Sequence, residues 1–180
     1  MIYSHEHQDK REENTKLFHQ MAQKAVDTDP ENPDAMSSLS MSYSIKKDLN
    51  KRLETAEKAL ELNPSHPRSN FSYGQALTNF GRNEEALSYV NKAIEMDPQS
   101  KKNYEGFFPL LYIALKDWEN AITWLNTAHE RSPHSRYFGW KAAVYGKMND
   151  LESAKENLNS FLKERPEIKT LEDYEKVAPT

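Results

Sequence analysis

His5-Glu6-His7 is the densest group of metal-ligating side chains in the chain. Its histidines stand two residues apart, not the four that place both on one helical face beside a zinc ion. The group falls in a polar N-terminal tail, residues 1–11, and such tails are usually solvated. His19, His66, His129 and His134 are scattered without a regular acidic partner and read as surface positions. No serine sits in a G-x-S-x-G turn, the context that exposes a nucleophile. The chain has no cysteine, so thiolate catalysis, Cys-ligated metals and disulfides are all excluded. Five glycines leave little material for a phosphate-cradling loop. Glu84-Glu85 and Lys155-Glu156 read as solvated helix faces. These residues imply no catalytic site, no metal and no cofactor.

Bulk properties narrow the partners. A net charge of −4 with pI near 5.9 argues against a protein whose task is to neutralise nucleic-acid phosphates. No apolar stretch approaches the roughly 18–20 residues that a membrane helix needs, so no membrane insertion is expected. The first residues lack the charged start and apolar core of a secretory signal, which fits a cytoplasmic location. Hydrophobic residues make up 37% of the chain and aromatics 11%, enough for a packed fold.

The elements that must carry these side chains are marked by proline. Pro30, Pro64, Pro98, Pro133 and Pro166 are separated by 34, 34, 35 and 33 residues. Ala25, Ala59, Ala93 and Ala128 each stand five residues before one of these prolines; Ala86, Ala121 and Ala154 stand twelve before. A fixed step of this size marks a repeat architecture. Within one period, Phe71, Tyr73, Ala76, Leu77 and Phe80 give one helical face. Gly81-Arg82-Asn83 reads as a turn, and Ala86, Leu87, Val90, Ala93 and Ile94 form a second face that Asp97-Pro98 closes. Each helix buries one stripe only, so stacked neighbours must complete the core.

Tyr73-Gly74, Leu77, Gly81, Ala86, Val90, Ala93 and Pro98 are the columns of a pattern that resembles the tetratricopeptide repeat (TPR). Phe108, Tyr112, Ala121, Leu125, Ala128 and Pro133 repeat it. So do Ala142, Tyr145, Ala154, Leu158, Phe161 and Pro166, and, earlier, Leu39-Ser40, Tyr43, Ala56, Ala59 and Pro64. The resemblance implies an all-α fold, a right-handed superhelical solenoid of antiparallel helix pairs, with about nine repeat helices and a short C-terminal cap. It divides a single domain into a half repeat at 12–30 that has only a second helix, and repeats at 33–66, 67–101, 102–134 and 135–168. Residues 169–180 follow as capping helix and tail, with Thr170 and Asp173 spaced as a capping box and Leu171, Tyr174 and Val177 as its apolar face.

Three departures stand out. Arg52 occupies a column where the family has alanine, so the pair at 33–66 is expected to be looser. Pro109 stands in the small-residue column of Gly74 and Ala142, inside a helix expected over residues 103–115, and should kink it. The half repeat leaves Leu17, Phe18 and Met21 without a first helix to cover them. Either the chain is cut from a longer protein, the favoured reading, or this face packs on another molecule, and self-association follows from the second. Leu17-Phe18 with Asp29-Pro30, residues 141–145, and residues 165–174 are also similar to C-terminal TPR segments of bacterial multidomain regulators such as class III adenylate cyclases. That similarity implies a regulatory module.

The family resemblance implies a concave groove lined by the first helices, and a protein or peptide partner. Helical phase places Ser37, Met41 and Ser44 on it, then Arg68, Phe71, Gln75 and Thr78, then Asn103, Leu110 and Ile113, then Arg136, Trp140 and Ala143. Phe71 and Trp140 are the sharpest candidates, because aromatics dominate interface hot spots. The co-chaperone clamp for acidic chaperone tails needs lysines on this face. Its places here read Ser37, Met41, Ser72, Asn103 and Phe107, so such a tail should bind poorly.

Overall fold

The computed structural model describes residues 2–170 and Asp173; the side chains of residues 2–9 and 11 fall outside that description. Leu171, Tyr174 and Val177, expected to form the face of a capping helix, lie outside the described residues. So do the side chains of His5, Glu6 and His7. Thr170 and Asp173 are described. The Asp173 N–H donates to Thr170 Oγ1 at 3.1 Å and the Thr170 N–H donates to the Asp173 carboxylate at 3.0 Å, the reciprocal bonds of a capping box.

Two compact units divide the chain after Tyr104, where the sequence reads as one domain. The first holds α1 (Ile2–Thr28), α2 (Pro33–Ile45), α3 (Leu49–Leu62), α4 (Pro67–Leu77), α5 (Asn83–Met96) and the single turn α6 (Lys101–Tyr104). The second begins with a 3-10 turn, Glu105–Phe107, and continues through α7 (Phe108–Leu115), α8 (Trp118–Arg131), α9 (Ser135–Lys147) and α10 (Leu151–Glu164).

Turn chemistry explains where helices stop and restart. Lys47, Gly81, Lys116 and Asn149 occupy the same place in successive pairs and all take left-handed backbone, with φ of 60, 70, 60 and 62°. Each turn then enters a second helix. Asp48, Asp117 and Asp150 cap α3, α8 and α10 by accepting from the backbone N–H three residues on. Arg82 gives α5 no such cap and instead grips Glu85 with two bonds of 2.8 and 2.7 Å.

The small columns work as close-packing positions. Ala56, Ala59, Ala86, Val90, Ala93 and Ala121 are fully buried. A Cβ on Gly74 would sit 3.0 Å from both the Ala86 carbonyl oxygen and Val90 Cγ2, so α4 approaches α5 as only glycine allows. In α10 the alanine column holds Phe161, whose ring lies over Gly139.

Three expectations are corrected. Residues 2–11, expected as a polar, solvated tail apart from the repeats, are helical and begin the 27-residue α1. Gln8, Lys10, Arg11, Glu12 and Glu13 are good helix formers, and neither glycine nor proline interrupts them. The pair holding Arg52 is not looser: α2 and α3 pack as extensively as α4 and α5. The Arg52 stem is buried, its Nη1 donates to Asn79 Oδ1 at 2.6 Å, and its carbonyl accepts from Ser40 Oγ at 2.8 Å. Burial pushes its guanidinium down to about 10. Pro109 does not kink a helix but separates two. The chain leaves α6, passes through the 3-10 turn, and restarts with Pro109 in the first turn of α7, where no N–H is required.

Candidate binding groove

In the first unit, α2, α4 and α6 bring one side of each helix to a common cavity of about 330 Å³. Ser37 and Met41 come from α2, four residues apart; Arg68, Phe71, Ser72 and Gln75 come from α4; Asn103 and Tyr104 come from α6. The three- and four-residue steps on α4 keep Arg68, Phe71 and Gln75 on one stripe. Pro67 in the first turn and the His66 imidazole, whose Nδ1 accepts from the Ser69 N–H, fix where that helix begins.

An aromatic pair forms the apolar part of the cavity. The Phe71 and Tyr104 ring centroids are 4.5 Å apart at 39°. Tyr104 is buried, and this burial, with Asp97 and Asp34 nearby, pushes its phenol above the usual tyrosine range. Apart from Arg68, the polar lining groups are neutral. Among the described residues, the side chains of Ser72, Gln75, Asn103 and Tyr104 make no hydrogen bond to the protein. Ser37 donates within its own helix, to the Pro33 carbonyl at 2.7 Å.

Arg68 is the one charged lining group, and it is engaged. Its Nη2 donates to Ser38 Oγ at 2.9 Å and its Nη1 lies 3.4 Å from Asp34 Oδ1. The second Asp34 oxygen lies 3.5 Å from His66 Nε2. Asp34 and Ser38 also border a second cavity of about 550 Å³ between α1 and α2, lined in part by Met21, Lys24, Ala25 and Thr28.

Six residues expected on the groove therefore share one cavity: Ser37, Met41, Arg68, Phe71, Gln75 and Asn103. Leu110, Arg136 and Trp140 belong to the second unit. Leu110 is exposed on α7, and the Arg136 guanidinium lies 5.3 Å from the Tyr137 ring centroid. Trp140 packs against the cluster of Ala121, Leu125, Tyr137 and Val144, so part of its ring serves the core. Tyr104 was not legible as a groove residue, because a single helical turn followed by a 3-10 turn has no phase to extrapolate. Ser72, a clamp place in the sequence, also lines the cavity.

On α1, Ala22 and Val26 pack on Ala35 and Leu39, and His19 Nδ1 lies 2.8 Å from Ser42 Oγ. Leu17 and Met21 are 54% and 59% exposed, while Phe18 is half-buried. No group of three or more potential ligands that could hold a metal exists among the described residues. No helix among them is long and apolar enough to cross a membrane.

Sequence profiles of the tetratricopeptide repeat match residues 33–66 and 53–101. The two matches together span residues 33–101. No curated protein matches the sequence significantly. Among solved structures, the chain is similar to PilW, described as a widely conserved type IV pilus biogenesis factor. The TM-score is 0.72 at 20% identity, over 91% of this chain and 75% of that one. MamA gives 0.62 at 16% identity over 95% of both chains. YrrB, described as a TPR protein with an unusual peptide-binding site, gives 0.63 at 18%, covering 87% of this chain and 81% of its own. These likenesses extend the TPR-type all-α solenoid fold over most of the chain. The cavity lies within the profile-matched TPR segment except for Asn103 and Tyr104, which close it.

Proposed function

We propose that this protein is a non-catalytic TPR module that binds a peptide or protein segment in the groove of its first unit. The observation that supports this reading is the convergence of six groove-facing residues on one cavity floored by Phe71 and Tyr104. TPR folds serve protein–protein interaction, and a tilted aromatic pair beside unpaired neutral polar groups is the composition of an interface anchor site. The acidic-tail clamp is not assembled: four of its five places line the cavity as Ser37, Met41, Ser72 and Asn103, without a lysine. A tail ending in Glu-Glu-Val-Asp is expected to bind poorly.

The test is a peptide array followed by solution titration of the best binder against wild type and Phe71→Ala. Truncating a central aromatic anchor should weaken binding by at least about tenfold, since such residues contribute roughly 2 kcal/mol or more. A melting profile checks that the variant stays folded. Binding that ignores Phe71→Ala and Met41→Ala would remove the groove from consideration.

A second reading, self-association, has the exposed Leu17 and Met21 on α1 in its favour. Light scattering over a concentration series tests it, and a strict monomer throughout counts against it. The narrower similarity to regulator C-termini remains one of short sequence stretches: PilW, MamA and YrrB are not described as cyclases.

A further inference from the structure

The groove of the first unit is electrically closed. Its single charged lining side chain, Arg68, already faces the Asp34 carboxylate at 3.4 Å and donates to Ser38. Asp34 turns its other oxygen to His66 at 3.5 Å, so one carboxylate sits between two basic side chains. An acidic ligand reaching for Arg68 must approach Asp34. A lysine or arginine reaching for Asp34 must approach Arg68. Both meet a like charge, whereas a neutral segment meets none.

The remaining wall is suited to neutral main chain. The Gln75 and Asn103 amides each present a donor and an acceptor, the same pair that a peptide group offers. The Tyr104 hydroxyl can serve in either sense. The cavity has room for a large side chain and the backbone that carries it, against a tilted aromatic pair.

We infer that this groove selects an extended, uncharged segment whose aromatic side chain packs on Phe71 and Tyr104, and that Asp34 is the residue that makes it reject acidic partners. The inference deepens the groove-binding reading above and rests on it. Asp34 acts by neutralising Arg68; it does not line the cavity itself.

The test uses the full chain and short peptides, acetylated and amidated so that their termini carry no charge. One set is built of Gly, Ser and Gln around a central Trp. The others carry Glu or Lys in place of Ser, and Ala in place of Trp. Fluorescence titration should rank the neutral Trp peptide first, with the Ala peptide weaker by about threefold to tenfold. Asp34→Asn should raise the affinity for the Glu peptide relative to the neutral one by about threefold to fivefold, the size of a released exposed ion pair. High salt should shrink that change, because it screens charges within a few ångströms. Arg68→Gln should do the opposite, favouring the Lys peptide, and stands in if Asp34→Asn fails to fold. Equal binding of Glu and neutral peptides to wild type, or a ratio that neither variant moves, overturns the inference and leaves the groove reading intact. Absence of binding by every peptide, the neutral Trp peptide included, overturns both.

Discussion

The repeat that begins at Pro67 and the one that follows Pro98 part most sharply at one column. In the first, the column holds Gly74, and α4 runs unbroken over Pro67–Leu77 against α5, close enough that a Cβ would touch the neighbouring backbone. In the second, it holds Pro109. Proline there removes an N–H and clashes with the carbonyl four residues before, so the helix cannot continue through it. The chain answers with a 3-10 turn over Glu105–Phe107 and a fresh start at α7, which packs less extensively on α8 than α4 does on α5. Pro109 is nonetheless fully buried. One small, buried position can therefore serve close packing or helix termination, and the residue decides which.

The largest expected effect breaks that contrast from the tight side. Gly74→Val should cost about 1–3 kcal/mol through overpacking against Ala86 and Val90, whereas Gly106→Ala, with open space around it, should be neutral or stabilising by up to about 1 kcal/mol. Urea unfolding of both variants checks the pair, and equal losses would mean that the two repeats do not differ in packing at this level. A smaller effect lies in the turns. Gly81→Ala should lose about 1 kcal/mol, because left-handed backbone disfavours a Cβ, and Lys116→Gly should gain up to the same amount. Thermal melting in parallel shows whether the two turns are interchangeable.

The smallest effect is a pH dependence centred on His19 of α1. Burial, then Lys46 and Lys51, lowers the His19 pKa from its ordinary 6.5. The folded state thus prefers the neutral ring. This contribution is complete above about pH 6.5 and is lost as pH falls through the depressed folded value. Denaturant midpoints at neutral and mildly acidic pH should converge partly in His19→Gln. An unchanged difference would show that another group carries it.

Much of the fold was legible because its signals are local. Prolines and alanine columns recur at a fixed step, and the left-handed turns and aspartate caps that the structure adds are each satisfied within a few residues of themselves. Helical phase likewise reached Ser37, Met41, Arg68, Phe71 and Gln75, which share the cavity, but also Ser44 and Thr78, which do not line it. Phase failed where the helix failed: Pro109 announced a disturbance but not a break, and Tyr104 stood beyond the last residue whose face could be projected. Arg52 misled, because its column predicts a loose pair, while its long stem buries against the neighbouring repeat and its head reaches Asn79, 27 positions away.

The sequence by itself determined the period, the helix pairs and six of the residues that line the first unit's cavity, since backbone propensity and hydrophobic phase act over one or two helical turns. Only the tertiary structure decided that Asp34 neutralises Arg68 across 34 positions, that Tyr104 closes on Phe71, and that Arg52 is accommodated. Those contacts depend on where stacked helices come to rest. That position is fixed by the summed packing of whole faces, which no single residue's type or spacing encodes.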